Sequence, residues 1–92
     1  MPRFLIEVPH AEEEIACARV VQAFLNMGSH FLTRADWGCM DGEHKAWIIV
    51  DVETKEEARM ILPPVFRPQA KITQLNYFTK EEIEGIIRQH QP

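Results

Sequence analysis

Residues 36–47 read Asp-Trp-Gly-Cys-Met-Asp-Gly-Glu-His-Lys-Ala-Trp and bring together a thiol (Cys39), an imidazole (His44), the carboxylates of Asp36, Asp41 and Glu43, and the indoles of Trp37 and Trp47. Thiolate and imidazole are the donors that suit Zn²⁺ or Ni²⁺, and a Cys–His pair is also how a thiol nucleophile is activated. Structural zinc uses four protein donors and catalytic zinc three, and this stretch offers one Cys and one His without a Cys-x-x-Cys or His-x-x-x-His spacing. A nucleophilic Cys39 would further need an orienting group and an oxyanion pocket, which a hairpin tip rarely supplies. No metal is therefore favoured. Cys39 and His44 stand as weak candidates, with His10 the further donor if the chain does bind one. The competing reading is a β-hairpin turned by Asp41-Gly42, a pair that suits a two-residue type I′ turn.

That turn pairs residues whose numbers sum to 83, so Cys39 lies opposite His44, Trp37 opposite Ala46, and Asp36 opposite Trp47. Farther along, Arg34 faces Ile49, Leu32 faces Asp51, Ala35 faces Ile48, Thr33 faces Val50, and Phe31 faces Val52. Side chains alternate across a strand, so one face collects Ala46, Ile48, Val50 and Trp37, and the other collects Trp47, Ile49, Asp51, Arg34, Asp36 and Leu32. In RFLIEV (3–8), Phe4, Ile6 and Val8 suit the first face and send Leu5 and Glu7 to the second. The second face mixes aliphatic and indole groups with four charges. That mixture fits a partly enclosed pocket in which Arg34 anchors a carboxylate, Glu7 acts as acid or base, and Asp36, Trp47, Asp51 and His10 line the ligand. The alternative is a dimer interface in which Arg34 pairs with Asp36, Asp51 or Glu7.

These side chains need elements to hold them. RFLIEV reads as a strand ended by Pro9, and residues 11–27 read as a helix. Its broad apolar face would carry Ile15, Ala18, Val21 and Leu25 together with Cys17, Val20, Phe24 and Met27. Glu12, Glu13 and Glu14 fall in its first turn and Gly28 stops it. Residues 29–37 form the second strand and 45–53 the third. Thr54-Lys55-Glu56-Glu57 and Thr79-Lys80-Glu81-Glu82 are identical tetrapeptides with the capping-box pattern, opening helices over 55–62 and 80–90. Pro63-Pro64 ends the first of these, and residues 71–78 form a fourth strand. The order β-α-β-β-α-β-α is α+β: a ferredoxin-like βαββαβ unit with an antiparallel sheet and an extra C-terminal helix.

The stretch Val50–Leu75, with its link Leu62-Pro63-Pro64-Val65-Phe66-Arg67-Pro68, resembles the corresponding segment of muconolactone isomerases. More broadly it resembles the dimeric α/β-barrel superfamily, which also includes cofactor-free monooxygenases and small stress-responsive or nickel-binding proteins. The resemblance implies a ferredoxin-like subunit, a homodimer with stacked sheets, in some cases larger rings, and a pocket for a small acid or lactone. The first strand departs from the family's usual lysine-bearing pattern, its charged members here being Arg3 and Glu7.

Composition narrows the partners. The 92 residues suit one domain, with a formal charge of −4 and no basic cluster, so nucleic acid is not expected. No apolar run spans a bilayer and the N-terminus lacks a signal-peptide layout, which points to a cytoplasmic protein. The two cysteines, Cys17 in a helical pattern and Cys39 in a turn, read as free thiols. No cofactor is expected. The expected partners are a second copy of the chain and a small molecule.

Overall fold

The computed structural model describes residues 1–27 and 29–91; the expected helix stop, Gly28, lies outside the described residues. Strand β1 (Arg3–Pro9) is followed by helix α1 (Glu14–Asn26), the two-residue strand β2 (Asp36–Trp37) and strand β3 (Lys45–Asp51). Helix α2 (Lys55–Met60), strand β4 (Lys71–Leu75) and helix α3 (Lys80–Gln89) complete the order. The four strands form an antiparallel sheet ordered β2-β3-β1-β4, compatible with the ferredoxin-like plan. No described helix is long and apolar enough to cross a membrane.

Alternation along the strands does what the residue pattern dictates. Phe4, Ile6 and Val8 of β1 pair with Val50, Ile48 and Ala46 of β3, and all six are buried. Phe24 of α1 is wholly buried among them and meets Trp37 edge-on at 5.1 Å and Phe66 at 5.4 Å between ring centroids. Burying a side chain of that size contributes about 1.5–3 kcal/mol, and each favourable ring pair about 0.5–1.5 kcal/mol more. Only half of the expected α1 face is used, however. Val20 packs against the core, whereas Ile15 and Leu25 are exposed.

Both tetrapeptide caps form in part. The Thr54 hydroxyl accepts from the Glu57 backbone N–H at 3.1 Å, and that of Thr79 accepts from Glu82 N–H at the same distance. The reciprocal half differs: the Glu57 carboxylate reaches back to Glu53 N–H, and that of Glu82 accepts from the Thr79 hydroxyl. Helix α3 has no buried residue, and its Ile83, Ile86 and Ile87 face solvent. The described residues extend over 57 × 28 × 21 Å with a radius of gyration of 16.8 Å, against about 12 Å for a compact chain of this length.

The expected second strand is the principal correction. Residues 32–34 form a 3₁₀ turn and only Asp36–Trp37 extend. Ser29 explains this locally: its hydroxyl accepts from Phe31 N–H at 3.3 Å and its carbonyl from Thr33 N–H at 3.1 Å. A serine that bonds its own neighbouring backbone competes with ladder formation. The register expected from the hairpin survives in Asp36 opposite Trp47 and Trp37 opposite Ala46, and the pairs from Phe31 to Ala35 do not form. Leu32, expected on the open face, is instead in the core at 1% exposure.

Candidate metal centre

The hairpin tip does not turn at Asp41-Gly42 alone. Gly38 N–H donates to the Lys45 carbonyl at 3.2 Å, and the Gly38 carbonyl then accepts from Asp41 N–H at 3.0 Å and Glu43 N–H at 2.9 Å. The chain winds through a 3₁₀ turn, Cys39–Asp41, and leaves it at Gly42 with φ 82°, a conformation that favours glycine. The seven-residue loop 38–44 thus replaces the expected two-residue turn, and it directs Cys39 inward.

His10 continues β1 past Pro9, where its N–H donates to the His44 carbonyl at 3.0 Å, so one backbone bond fixes two imidazoles side by side. Their rings meet edge-on at 5.9 Å, and Trp37 approaches the His10 ring at 5.7 Å. Cys17 enters from the first turns of α1, on the same side of that helix as Val20 and Phe24. Packing of Phe24 against Trp37 therefore sets how close Cys17 comes to the loop.

The result is a four-residue cluster. His10 Nε2 lies 3.2 Å from Cys17 Sγ and 3.0 Å from Cys39 Sγ, and the two sulfurs are 2.9 Å apart. With one ring nitrogen of His44 included, all four donor atoms fall within 4.8 Å of one another. In a tetrahedral zinc site, bond lengths of about 2.0–2.3 Å place donor atoms roughly 3.3–3.8 Å apart. The His10–Cys17–Cys39 contacts would open by under about 1 Å and the widest separation, up to 4.8 Å, would close by about the same to reach that spacing. Cys₂His₂ is one of the donor sets that closes a tetrahedral zinc shell, and all four side chains are half-buried.

Electrostatics agree with this chemistry. Burial and then the neighbouring His44 push the His10 imidazole below its ordinary pKa, outweighing the Val8 backbone, so the ring favours the neutral, ligating form. The bond to Cys39, then burial and the proximity of a second thiolate raise the Cys17 thiol to about 11. Without a cation the Cys17 thiol is therefore held protonated, whereas a thiol that coordinates a metal is deprotonated outright. Nδ1 of His44 is buried without a hydrogen-bond partner, an orphaned polar atom on one of the four residues. A cavity of about 350 Å³ opens on the cluster, bounded by Glu12, Glu14, Ala18 and Met40 as well as Cys17, Cys39 and His44.

The other expected site residues sit elsewhere. The Glu7 carboxylate accepts from Trp47 Nε1 at 3.2 Å. Arg34 and Asp51 line a groove of about 230 Å³ with His30, Phe31 and Ile49. Asp36 is exposed opposite Trp47, and among the described residues Arg34 forms no ion pair with Glu7, Asp36 or Asp51. Of the side chains singled out, His10, Cys39 and His44 meet. Cys17 is the member that reading by sequence spacing missed, because its place in a helical apolar pattern accounted for it fully. Its signal was present: it is the chain's second cysteine, on the α1 stripe that carries Val20 and Phe24.

Gly38 carries the loop's tightest packing. A Cβ there would lie 2.5 Å from Trp47 Cζ3 and 2.7 Å from the Glu43 carbonyl. Gly38→Ala should therefore cost about 1–3 kcal/mol through overpacking and weaken metal binding by shifting residues 39–44. Urea unfolding with a parallel zinc competition assay measures both effects, and a wild-type affinity in the variant would show that the loop's path does not set the site.

No protein-family model matches the chain, and neither the curated proteins nor the solved structures include a match to it.

Proposed function

We propose that this chain is a metal-binding domain that holds one zinc-class ion through His10, Cys17, Cys39 and His44. The convergence of two thiols and two imidazoles from three separate segments carries this reading. Structural ion pairs and buried histidines are common in small domains. A pair of thiols and a pair of imidazoles sharing one 4.8 Å neighbourhood has no such ordinary use. Bound metal would tie the end of β1 and the loop 38–44 to α1, at the margin of a sheet whose β2 is only two residues long. Metal occupancy would then add to the stability of a fold whose core contains none of the four ligands.

The reduced protein titrated with Co²⁺ tests the reading directly. Expected are a 1:1 end point, the intense visible bands of tetrahedral cobalt and a thiolate-to-cobalt charge-transfer band, all lost on adding one equivalent of Zn²⁺. Weak, octahedral-type spectra without the thiolate band would rule it out.

A second reading is favoured by apolar groups left uncovered on the open face of the sheet and along the C-terminal segment. Ile49 is exposed on the open face, and Tyr77, Phe78, Ile83, Ile86 and Ile87 are exposed along the C-terminal segment. These surfaces support a homodimer with stacked sheets of the dimeric α/β-barrel type. In it, the groove holding Arg34 and Asp51 would bind a small organic acid or lactone, and Glu7 would serve as acid or base in an isomerase-like reaction. Sedimentation equilibrium at micromolar concentration should then give twice the monomer mass, and a monomer would remove this reading without touching the metal centre.

A further inference from the structure

Resting on the metal reading above, we infer that the centre is redox-gated: a peroxide-class oxidant converts Cys17 and Cys39 into a disulfide and thereby expels the ion. The two sulfurs, 22 positions apart in sequence, stand 2.9 Å apart. That separation lies between the roughly 3.8 Å that two thiolates adopt around tetrahedral zinc and the about 2.05 Å of a disulfide bond. Each end state requires under about 1 Å of relative movement. One sulfur is carried by α1 and the other by loop 38–44, which joins β2 to β3. The travel can therefore be taken up by the loop, leaving the sheet in place.

Access distinguishes this centre from a sealed zinc site. Both thiols are half-buried, and both line the wall of the 350 Å³ cavity. A zinc site kept only for stability gains nothing from such an opening.

The chemistry balances with the oxidant supplied from outside. One thiolate attacks hydrogen peroxide, the O–O bond breaks, and a sulfenic acid forms with release of hydroxide. The second thiolate attacks the sulfenic sulfur and displaces a second hydroxide, forming the S–S bond. Two electrons pass from sulfur to peroxide, and with two protons from solvent the products are a disulfide and two waters. The ion is left with His10 and His44 alone, too few donors to hold it.

The zinc-loaded full chain, treated with hydrogen peroxide in the presence of a chromogenic zinc chelator, tests this. Expected is one zinc released per chain, in step with a 2 Da mass loss and a peptide map linking Cys17 to Cys39, with reductant and added zinc restoring the loaded form. Zinc retained after oxidation, sulfinic or sulfonic acids without a disulfide, or disulfides only between chains would each overturn it. A reduced protein that takes up no zinc at the outset defeats the metal reading and this inference together. A reduced protein that binds zinc and then fails the peroxide step defeats this inference alone. Cys39→Ser, checked by circular dichroism for retained fold, should lose both the mass change and the stoichiometric release; release unchanged in that variant would also overturn it.

Discussion

Zinc at a thousand times its dissociation constant should raise the melting temperature of the reduced protein by roughly 15–30 °C, and a chelator should reverse the gain. A ligand that binds only the native state at that excess stabilises by about 4.1 kcal/mol. In a domain of this size each kcal/mol moves the midpoint by about 4–8 °C. The metal would link three segments that lie apart in sequence. His10 lies just past β1, Cys17 lies near the start of α1, and Cys39 and His44 lie on a loop next to a two-residue strand. Some affinity of the unfolded chain's cysteines and histidines for zinc would reduce the shift, so the lower end of the range is the one that decides. Calorimetry with and without zinc gives the answer, and an unchanged midpoint would mean that any bound metal is not coupled to this fold.

Replacing Cys17 by Ser should lower zinc affinity by more than about 100-fold, with Cys39→Ser doing the same. Even partners outside the donor shell change metal affinity by about 10–100-fold, and here a donor itself is lost. The fold should survive, because both thiols are half-buried and neither belongs to the core built on Phe4, Ile6, Phe24, Ile48 and Leu62. Cys17→Ser with Cys39→Ser should cost much less than the two single losses combined, since either alone already breaks the four-donor set. Competition against a chromophoric chelator gives the affinities and circular dichroism gives the fold. Wild-type affinity in Cys17→Ser would mean that α1 contributes no donor and that the centre is not the one described.

The sheet was legible in the chain because strand alternation is a local rule. Phe4, Ile6 and Val8, like Ala46, Ile48 and Val50, face the core as their spacing requires, and the Trp37–Ala46 register followed from the loop arithmetic. The turn itself did not, because Gly38's two carbonyl bonds outweighed the Asp-Gly preference. Nor did the second strand, where Ser29's local hydrogen bonds closed a helical turn and carried Leu32 into the core. The open-face residues Glu7 and Trp47 kept their expected side and gained a mutual hydrogen bond. The resemblance to muconolactone isomerases rests on a proline-punctuated link and an element order.

By itself, then, the sequence determined the α+β architecture, the buried faces of β1 and β3, both threonine caps, and Cys39 and His44 as residues of one hairpin. Each of these depends on neighbours within a few positions or on a period of two. Only the tertiary structure decided that His10 meets them across the β1–β3 ladder and that Cys17 arrives from α1 to make the fourth donor. A donor set split as 10, 17, 39 and 44 has no spacing that advertises it. It exists because Phe24 packs on Trp37 and holds the helix at the distance where a thiol two turns earlier reaches the loop.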